Sequence, residues 1–558
     1  LFSAIVLKNV ECRALGKAGS IMANKNLFKS PGVTSKVPAA DTTNSAGGKA
    51  YSFEKKHCLA QIAATNCFNG TYYVSAEDNL KLAKEAALAL TSDPEFIAKV
   101  AVYSRDKGYM KDMPAFLTVL LAELDTKLFR KVFPKVIDNG KMLRNFCQMA
   151  RSGAVTGKVK NLSSGSVRHA IQQWFDVRGA WALFKASIGN DPSMKDMLRM
   201  CRPKPNSDEK AALFGYFLDK EVEFARLPQI VREYEAFKKD KTLTVPNVDF
   251  RMLDSLGLTD AQWTEIARNA PWMMTRMNLN TFSRHNVFKD KEVTKLIADR
   301  LRNREMIVEA RQFPYQMFSA WKAIEGTTDV PFEIRDALQD SMEIAIDNVP
   351  EFKGQVYVCV DTSGSMGSPI TGSSGFGSKP STISCVDVAG LVASSIVRKN
   401  RSAEVWTFNS DAQKVNLNPR DTVITNTQKL AKAGGGTNIP TPLRKLNELK
   451  AKGDAVVYVS DYESWIDSGS GYSSIYGGGT GLATEWETFK KRNPKARLIC
   501  IDLTPRSNSQ IKTRKDVLQV GGFGDQVFDV VASFLEHGDS ADHWVKMIEE
   551  VDLDAKRE

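Results

Sequence analysis

Histidine is the scarcest of the chemistry-bearing residues in this chain, five in 558. No H-E-x-x-H occurs, which excludes a zinc-hydrolase helix, and no G-x-x-x-x-G-K-[ST], which excludes a P-loop ATPase. The cysteines stand at 12, 58, 67, 147, 201, 359, 385 and 500 and include no C-x-x-C pair. Several lie in apolar runs, so reduced thiols in a cytosol are expected rather than disulfides. No apolar run reaches the roughly 18 residues of a membrane span, so neither a transmembrane helix nor a membrane partner is expected.

Positive charge is present and unevenly placed. The net charge is +11, yet residues 351–558 hold 25 basic against 25 acidic side chains, so the whole excess lies in the first 350. A polyanion partner for that half follows.

Two textures divide the chain. Residues 1–44 read as a disordered arm or an appended leader; Met22 resembles a natural start, and Ser, Thr, Gly, Pro and Asn dominate 26–50. From 45 to 349, apolar residues recur at 3–4 spacing in segments such as Pro94–Lys107, Lys141–Ser152, Thr275–Phe282 and Lys291–Leu301. That pattern predicts stacked helices, an α-solenoid without an exact repeat unit. From 350 to 558, β-type runs alternate with helices: Val356–Val360, Glu404–Phe408, Ala455–Ser460, Arg497–Leu503 and Gln526–Val530. This predicts a doubly wound α/β sheet. Gly/Ser-rich loops at 368–379 and 469–481 read as a mobile rim or as plain insertions.

The first of these strands ends in Asp361-Thr-Ser363-Gly-Ser365. A carboxylate and two hydroxyls at the tip of a buried strand serve no packing purpose, but they are the hard oxygen ligands that Mg²⁺ takes. Gly434-Gly-Gly-Thr437 adds a hydroxyl from a glycine loop, and Ala455–Ser460 delivers a second strand-end carboxylate, Asp461. The bland alternative is a serine-rich turn, with Asp461 as a helix N-cap.

A different chemistry marks 139–175, which contains Lys141, Arg144, Arg151, Lys158, Lys160 and Arg168 and no acidic residue. Lys141, Arg144, Gln148 and Arg151 share one helix face by spacing, with Leu143, Phe146, Cys147 and Ala150 opposite. A helix with Arg168, His169, Gln172 and Gln173 follows. Lysines and arginines neutralise phosphates, and polar side chains position the strand; otherwise this is a solvated basic face. Arg276, Asn280 and Arg284 predict a second such face, with Trp272, Phe282 and Phe288 as stacking surfaces or, for the first two, as core.

A helical half followed by this metal-site trio resembles the Ro autoantigen family, the TROVE-domain ribonucleoproteins with a C-terminal von Willebrand factor A domain. Asn139-Gly-Lys-Met-Leu-Arg144, Leu198-Arg-Met-Cys-Arg-Pro-Lys-Pro205 and Ser460-Asp-Tyr-Glu-Ser-Trp465 carry the likeness, which is strongest for a bacterial member. The resemblance implies a HEAT-like helical ring joined by the A domain. It implies a metal-ion-dependent adhesion site at Asp361, Ser363, Ser365, Thr437 and Asp461, holding a divalent cation, Mg²⁺. It further implies a non-enzymatic, cytoplasmic, monomeric scaffold in RNA quality control. Its partners would be a small Y-like RNA on the outer surface, single-stranded 3′ ends of misfolded RNAs in the ring hole, and a 3′-to-5′ exoribonuclease tethered through the RNA. By position Lys185 joins the RNA-contacting residues. The family's histidine in Leu-Arg-x-x-His-x-Lys-Pro is Arg202 here, while Lys204 remains. Two other readings stay open: a metal-dependent module docking a carboxylate-bearing partner, and a metal-dependent nuclease, for which no general base is evident.

Overall fold

The computed structural model describes residues 37–65, 68, 75–159, 162–163, 165–309, 314–370, 381–464, 479–537 and 542–555. From Lys55 to Ala345 the described chain is helical. Helix starts are set by short polar side chains. Asp93 accepts from Phe96 N at 3.1 Å, Asn139 from Met142 N at 3.1 Å, and Ser193 forms a capping box with Asp196. Each helix packs on those one or two places along, as Pro94–Asp106 does on Asp112–Leu124 and Thr126–Val136. Interlocked rings such as Phe133 and Phe146, 5.1 Å apart, fill the space between them.

The C-terminal half is a twisted α/β layer. Its strands, with those of a small N-terminal sheet, are β1 (Thr42–Thr43), β2 (Lys49–Ser52), β3 (Val356–Asp361), β4 (Glu404–Phe408), β5 (Ala412–Val415), β6 (Ala455–Ser460), β7 (Arg497–Asp502), β8 (Asn508–Ser509) and β9 (Val517–Gly521). The main sheet runs β5-β4-β3-β6-β7-β9, parallel except for edge strand β5. Strands β3 and β6 are buried along their whole length, as their unbroken apolar runs require. The chain winds outward from β3 to β4 and β5, then returns to β6 on the other side. The β3/β6 crevice is therefore the switch point, where ligands bind in open α/β sheets.

Both ends of the helical array rest on this domain. At the first end, helix His543–Glu549 packs against helices Lys55–Thr65 and Pro94–Asp106. Trp544 Nε1 donates to Tyr103 Oη at 3.2 Å, Lys56 pairs with Glu549 at 2.6 Å, and Lys99 donates to the Glu549 carbonyl at 2.8 Å. At the last end, Glu343 accepts from Arg398 Nε at 2.8 Å and from Val423 N at 3.0 Å, and Tyr315 packs on Phe523.

Four expectations need correction. Of the expected arm, residues 1–36 lie outside the described residues, and 37–50 are not loose: β1, β2 and β8 form an antiparallel sheet, with Asn44 Nδ2 donating to Ser464 O at 2.8 Å. Gly48 crosses there so closely that a Cβ would lie 2.0 Å from Ser464 O. The run 526–530 is helical, within Asp525–His537, because Val527, Val530, Val531 and Phe534 recur at helical spacing. Strands β5 and β9 are additional to those expected, being short and broken by Gln and Lys. The segment Thr275–Phe282 is two helices, Trp272–Met277 and Leu279–Arg284, divided at Asn278, whose Nδ2 turns to Met274 O.

At the first seam His57 is 2% exposed, stacked on Phe53 at 4.8 Å and edge-on to Trp544. Burial pushes its imidazole down to about 4. Below the ordinary value near 6.5 the unfolded chain takes a proton that the folded chain refuses, so stability falls on acidification from about 6.5 toward 4. By pH 5 the loss is about 2 kcal/mol. Urea unfolding at pH 7.5 and pH 5 should show His57→Leu losing about that much less than wild type; equal losses would refute the assignment.

Candidate metal centre and nucleic-acid interface

Asp361 closes β3 at the switch point with no solvent exposure. Its Oδ1 accepts from Ser363 N at 2.8 Å, and its Oδ2 accepts from Ser460 Oγ at 2.5 Å. Ser363 Oγ lies 3.3 Å from Ser365 Oγ. The glycine loop is tied to the same turn: Gly364 N donates to Gly435 O at 3.0 Å, and Gly434 N to Thr362 O at 2.8 Å. Gly435 needs its positive φ of 82°, and Asn409 fills the space where its side chain would be. Thr437 and Asp461 are 4% and 5% exposed. Asp361, Ser363 and Ser365 thus sit together at the tip of β3, Asp461 follows the adjacent strand β6, and Thr437 lies on the glycine loop tied to the same turn.

Sequence reasoning missed the charge around them. Glu463 and Asp502 are also buried at these strand ends. The cation set among them is Arg506, its Nε 3.7 Å from Glu463. Burial raises Asp361, and the nearby Asp461 raises it further; burial likewise raises Asp461, Glu463 and Asp502 above the usual carboxylate range. Beside Thr437, the buried Asn438 Oδ1 has no hydrogen-bond partner among the described residues. A hard-oxygen donor set with buried negative charge in excess fits a small divalent cation. Among the described residues no cluster of three or more His, Cys, Asp or Glu is disposed to hold a metal, so a site here depends on the hydroxyls. Ser460 and Asn409, which hold Asp361 and the glycine loop, carry no sequence signature beyond their position.

The basic segment divides into two kinds of side chain. Helix Gly140–Ser152 presents Lys141, Gln148 and Arg151 exposed, with Leu143, Phe146, Cys147 and Ala150 buried, as the spacing predicts. Lys158, His169, Lys185, Arg202 and Lys204 are exposed too. Lys160 lies outside the described residues. Arg144, by contrast, donates to the carbonyls of Ala186 (3.2 Å) and Ile188. Arg168 Nε donates to Cys201 O at 3.2 Å, and Gln172 to Cys201 O at 2.7 Å. These two side chains clamp the end of helix Met194–Cys201, from which the left-handed Arg202 (φ 48°) leads off. Orphaned carbonyls at helix ends need such donors.

The second predicted face does not exist, because the break at Asn278 takes Arg276 and Arg284 onto different helices. Arg276 turns inward to Gln316 O at 2.8 Å, and burial lowers it to about 10. Asn280 bonds Ala323 O, while Arg284 stays exposed beside Thr281. Trp272 and Phe282 are core, and Phe288 is half-buried.

A helical array closed by an A domain with a hydroxyl–carboxylate crevice defines a helical-repeat/von Willebrand A protein. The family model "Ro60 vWA domain" matches residues 355–535, and "TROVE domain" matches 241–332. Residues 355–535 and 241–332 are thus similar to the two kinds of domain that Ro proteins combine. A crystal structure of the Deinococcus radiodurans RO (RSR) protein is similar in fold, with a TM-score of 0.56 at 18% identity, over 86% of this chain and 99% of that one. No curated protein matches. The TROVE match leaves out 139–204, so the basic helices there rest on their own geometry.

The two kinds of cation separate by stability. Arg144→Ala strips two interhelical carbonyls of a charged donor and should cost about 2–3 kcal/mol. Lys141→Ala, on an exposed face, should change unfolding free energy by less than about 0.5 kcal/mol. Urea unfolding of both variants checks this; equal effects would contradict the division.

Proposed function

We propose that this chain is a non-catalytic RNA-binding scaffold working in RNA quality control in the cytoplasm. The exposed cations between 139 and 204 hold a small Y-like RNA, and the ring hole takes single-stranded 3′ ends of misfolded RNAs. The RNA in turn links the protein to a 3′-to-5′ exoribonuclease. The observation that carries this reading is the set of exposed cations Lys141, Arg151 and Lys158, which lie in a stretch, 139–175, that has no acidic residue, within the half of the chain, residues 1–350, that holds all of its excess charge. Phosphates answer such a set.

The test is a labelled RNA hairpin with a single-stranded 3′ tail, titrated across a salt series. Wild type should bind with a steep salt slope. Lys141→Glu/Arg151→Glu should bind weakly, its slope shallower by about 0.7–0.9 for each phosphate no longer neutralised. Binding indifferent to salt and to these changes would refute the reading. RNA shortened in Mg²⁺ by wild type but not by Asp361→Ala would make the crevice catalytic instead.

A second reading concerns the A domain, and the buried, undercompensated carboxylates favour it. In this reading Asp361, Ser363, Ser365, Thr437 and Asp461 hold Mg²⁺. When bound, the ion supplies a coordination position for a carboxylate of a protein partner. Binding to the folded state alone stabilises it by about 2.7 kcal/mol at a hundredfold excess over Kd. The melting midpoint should therefore rise in Mg²⁺ over chelator for wild type and stay flat for Asp361→Ala. A wild type indifferent to both Mg²⁺ and Mn²⁺ would remove the ion from the site.

A further inference from the structure

Trp181 is 51% exposed, whereas the other described tryptophans are buried or, for Trp321, half-buried. It stands on helix Ala180–Ala186, whose Ala180, Leu183 and Phe184 face the core. Trp181 and Lys185 are one turn apart on the outer face, with Lys185 Nζ 5.2 Å from the indole centroid. No packing demand puts an indole there, since any polar residue would serve an outward position on this helix.

The helix beneath the ring is closely packed on its inner face. Phe184 packs edge-on against Tyr216 and Tyr234. Arg144 holds the carbonyls of Ala186 and Ile188 at the helix end. Gly140 abuts Ala186 so closely that a Cβ would fall 2.6 Å from the Ala186 Cβ. That approach brings Lys141, the next residue, alongside the helix that carries Lys185. The nearby carboxylates are engaged: Asp249 pairs with Arg251 at 2.7 Å, Asp191 accepts from Gln148 at 3.1 Å, and Asp112, beside Lys141, accepts from Asn145 at 3.1 Å. An exposed indole in a cationic surround suits a flat, electron-rich group attached to anions. An apolar peptide answers only the ring, and duplex RNA only the charge.

We propose that Trp181 is a stacking platform for one unpaired nucleobase of a bound RNA, with Lys185 and Lys141 facing the flanking phosphates. The proposal rests on the RNA-binding reading and specifies which part of the RNA this surface takes. A base inside a helix has no free face, so the site selects single-stranded or bulged nucleotides. Stacking on an aromatic residue is tolerant of base identity, so the site selects for exposure of a base and not for its sequence.

The experiment compares wild type, Trp181→Ala and Trp181→Phe for binding the same tailed hairpin and a blunt duplex. Trp181→Ala should weaken binding of the tailed RNA about tenfold, with the salt slope and melting midpoint unchanged. Trp181→Phe should restore most of the loss, and the blunt duplex should not distinguish the three proteins. An abasic position scanned through the unpaired nucleotides should, at one place, weaken wild type by the same factor and leave Trp181→Ala no weaker. Equal affinity of wild type and Trp181→Ala for the tailed RNA would overturn the platform alone; the salt slope and the Lys141→Glu/Arg151→Glu effect would still stand. Failure of wild type to bind either RNA would overturn the RNA reading, and the platform with it.

Discussion

The array of helices terminates twice on the same domain, and the rest of the structure depends on that. A stack of helical repeats buries each member against its neighbours and leaves an apolar face open at either end. Here one α/β domain covers both. Trp544, Tyr103 and His57 make one seam; Glu343, Arg398, Tyr315 and Phe523 make the other. The half-exposed ion pairs at these seams, such as Lys56–Glu549, fix geometry more than they stabilise. The apolar core runs through the seams, joining Leu59 and Phe96 to Val520 and Trp544 in one cluster.

The same winding that lets the A domain reach both ends creates its crevice. Because the chain leaves β3 in one direction and comes back on the other side, the tips of β3 and β6 lie side by side at the point where the winding reverses. Asp361 and Asp461 then face each other across a gap that the glycine loop and Ser460 line with oxygens. Strands β3 and β6 carry no charged side chain before their ends, so the charge is concentrated at the strand tips.

What the sequence revealed and what it hid divide along the range of the interaction. The strand-end motifs were legible because a buried strand and its terminal carboxylate are local: Val356–Val360 followed by Asp361 needs no partner to be read. The Gly140–Ser152 face was legible from spacing for the same reason. The roles of its members were not. Periodicity puts Arg144 and Lys141 on one face, yet only the Ala186 and Ile188 carbonyls, more than 40 positions away, turn Arg144 into a clamp. Arg276 was misread similarly, because the break at Asn278 comes from that residue bonding its own preceding turn. Trp181 gave no signal, since a lone aromatic in a short helix reads as core.

The small sheet of β1, β2 and β8 has a consequence for how the molecule comes into being. Gln510 donates to the carbonyl of Lys49, 461 residues earlier in the chain. During synthesis β1 and β2 emerge long before Asn508–Ser509, so the β2 edge that pairs with β8 waits for its partner while the helices of the array and most of the main sheet are made. Pairings of such range are the slowest to form and the last to be rewarded. The segment 41–52 is therefore a late latch: the molecule is shut by its beginning, after its end has folded.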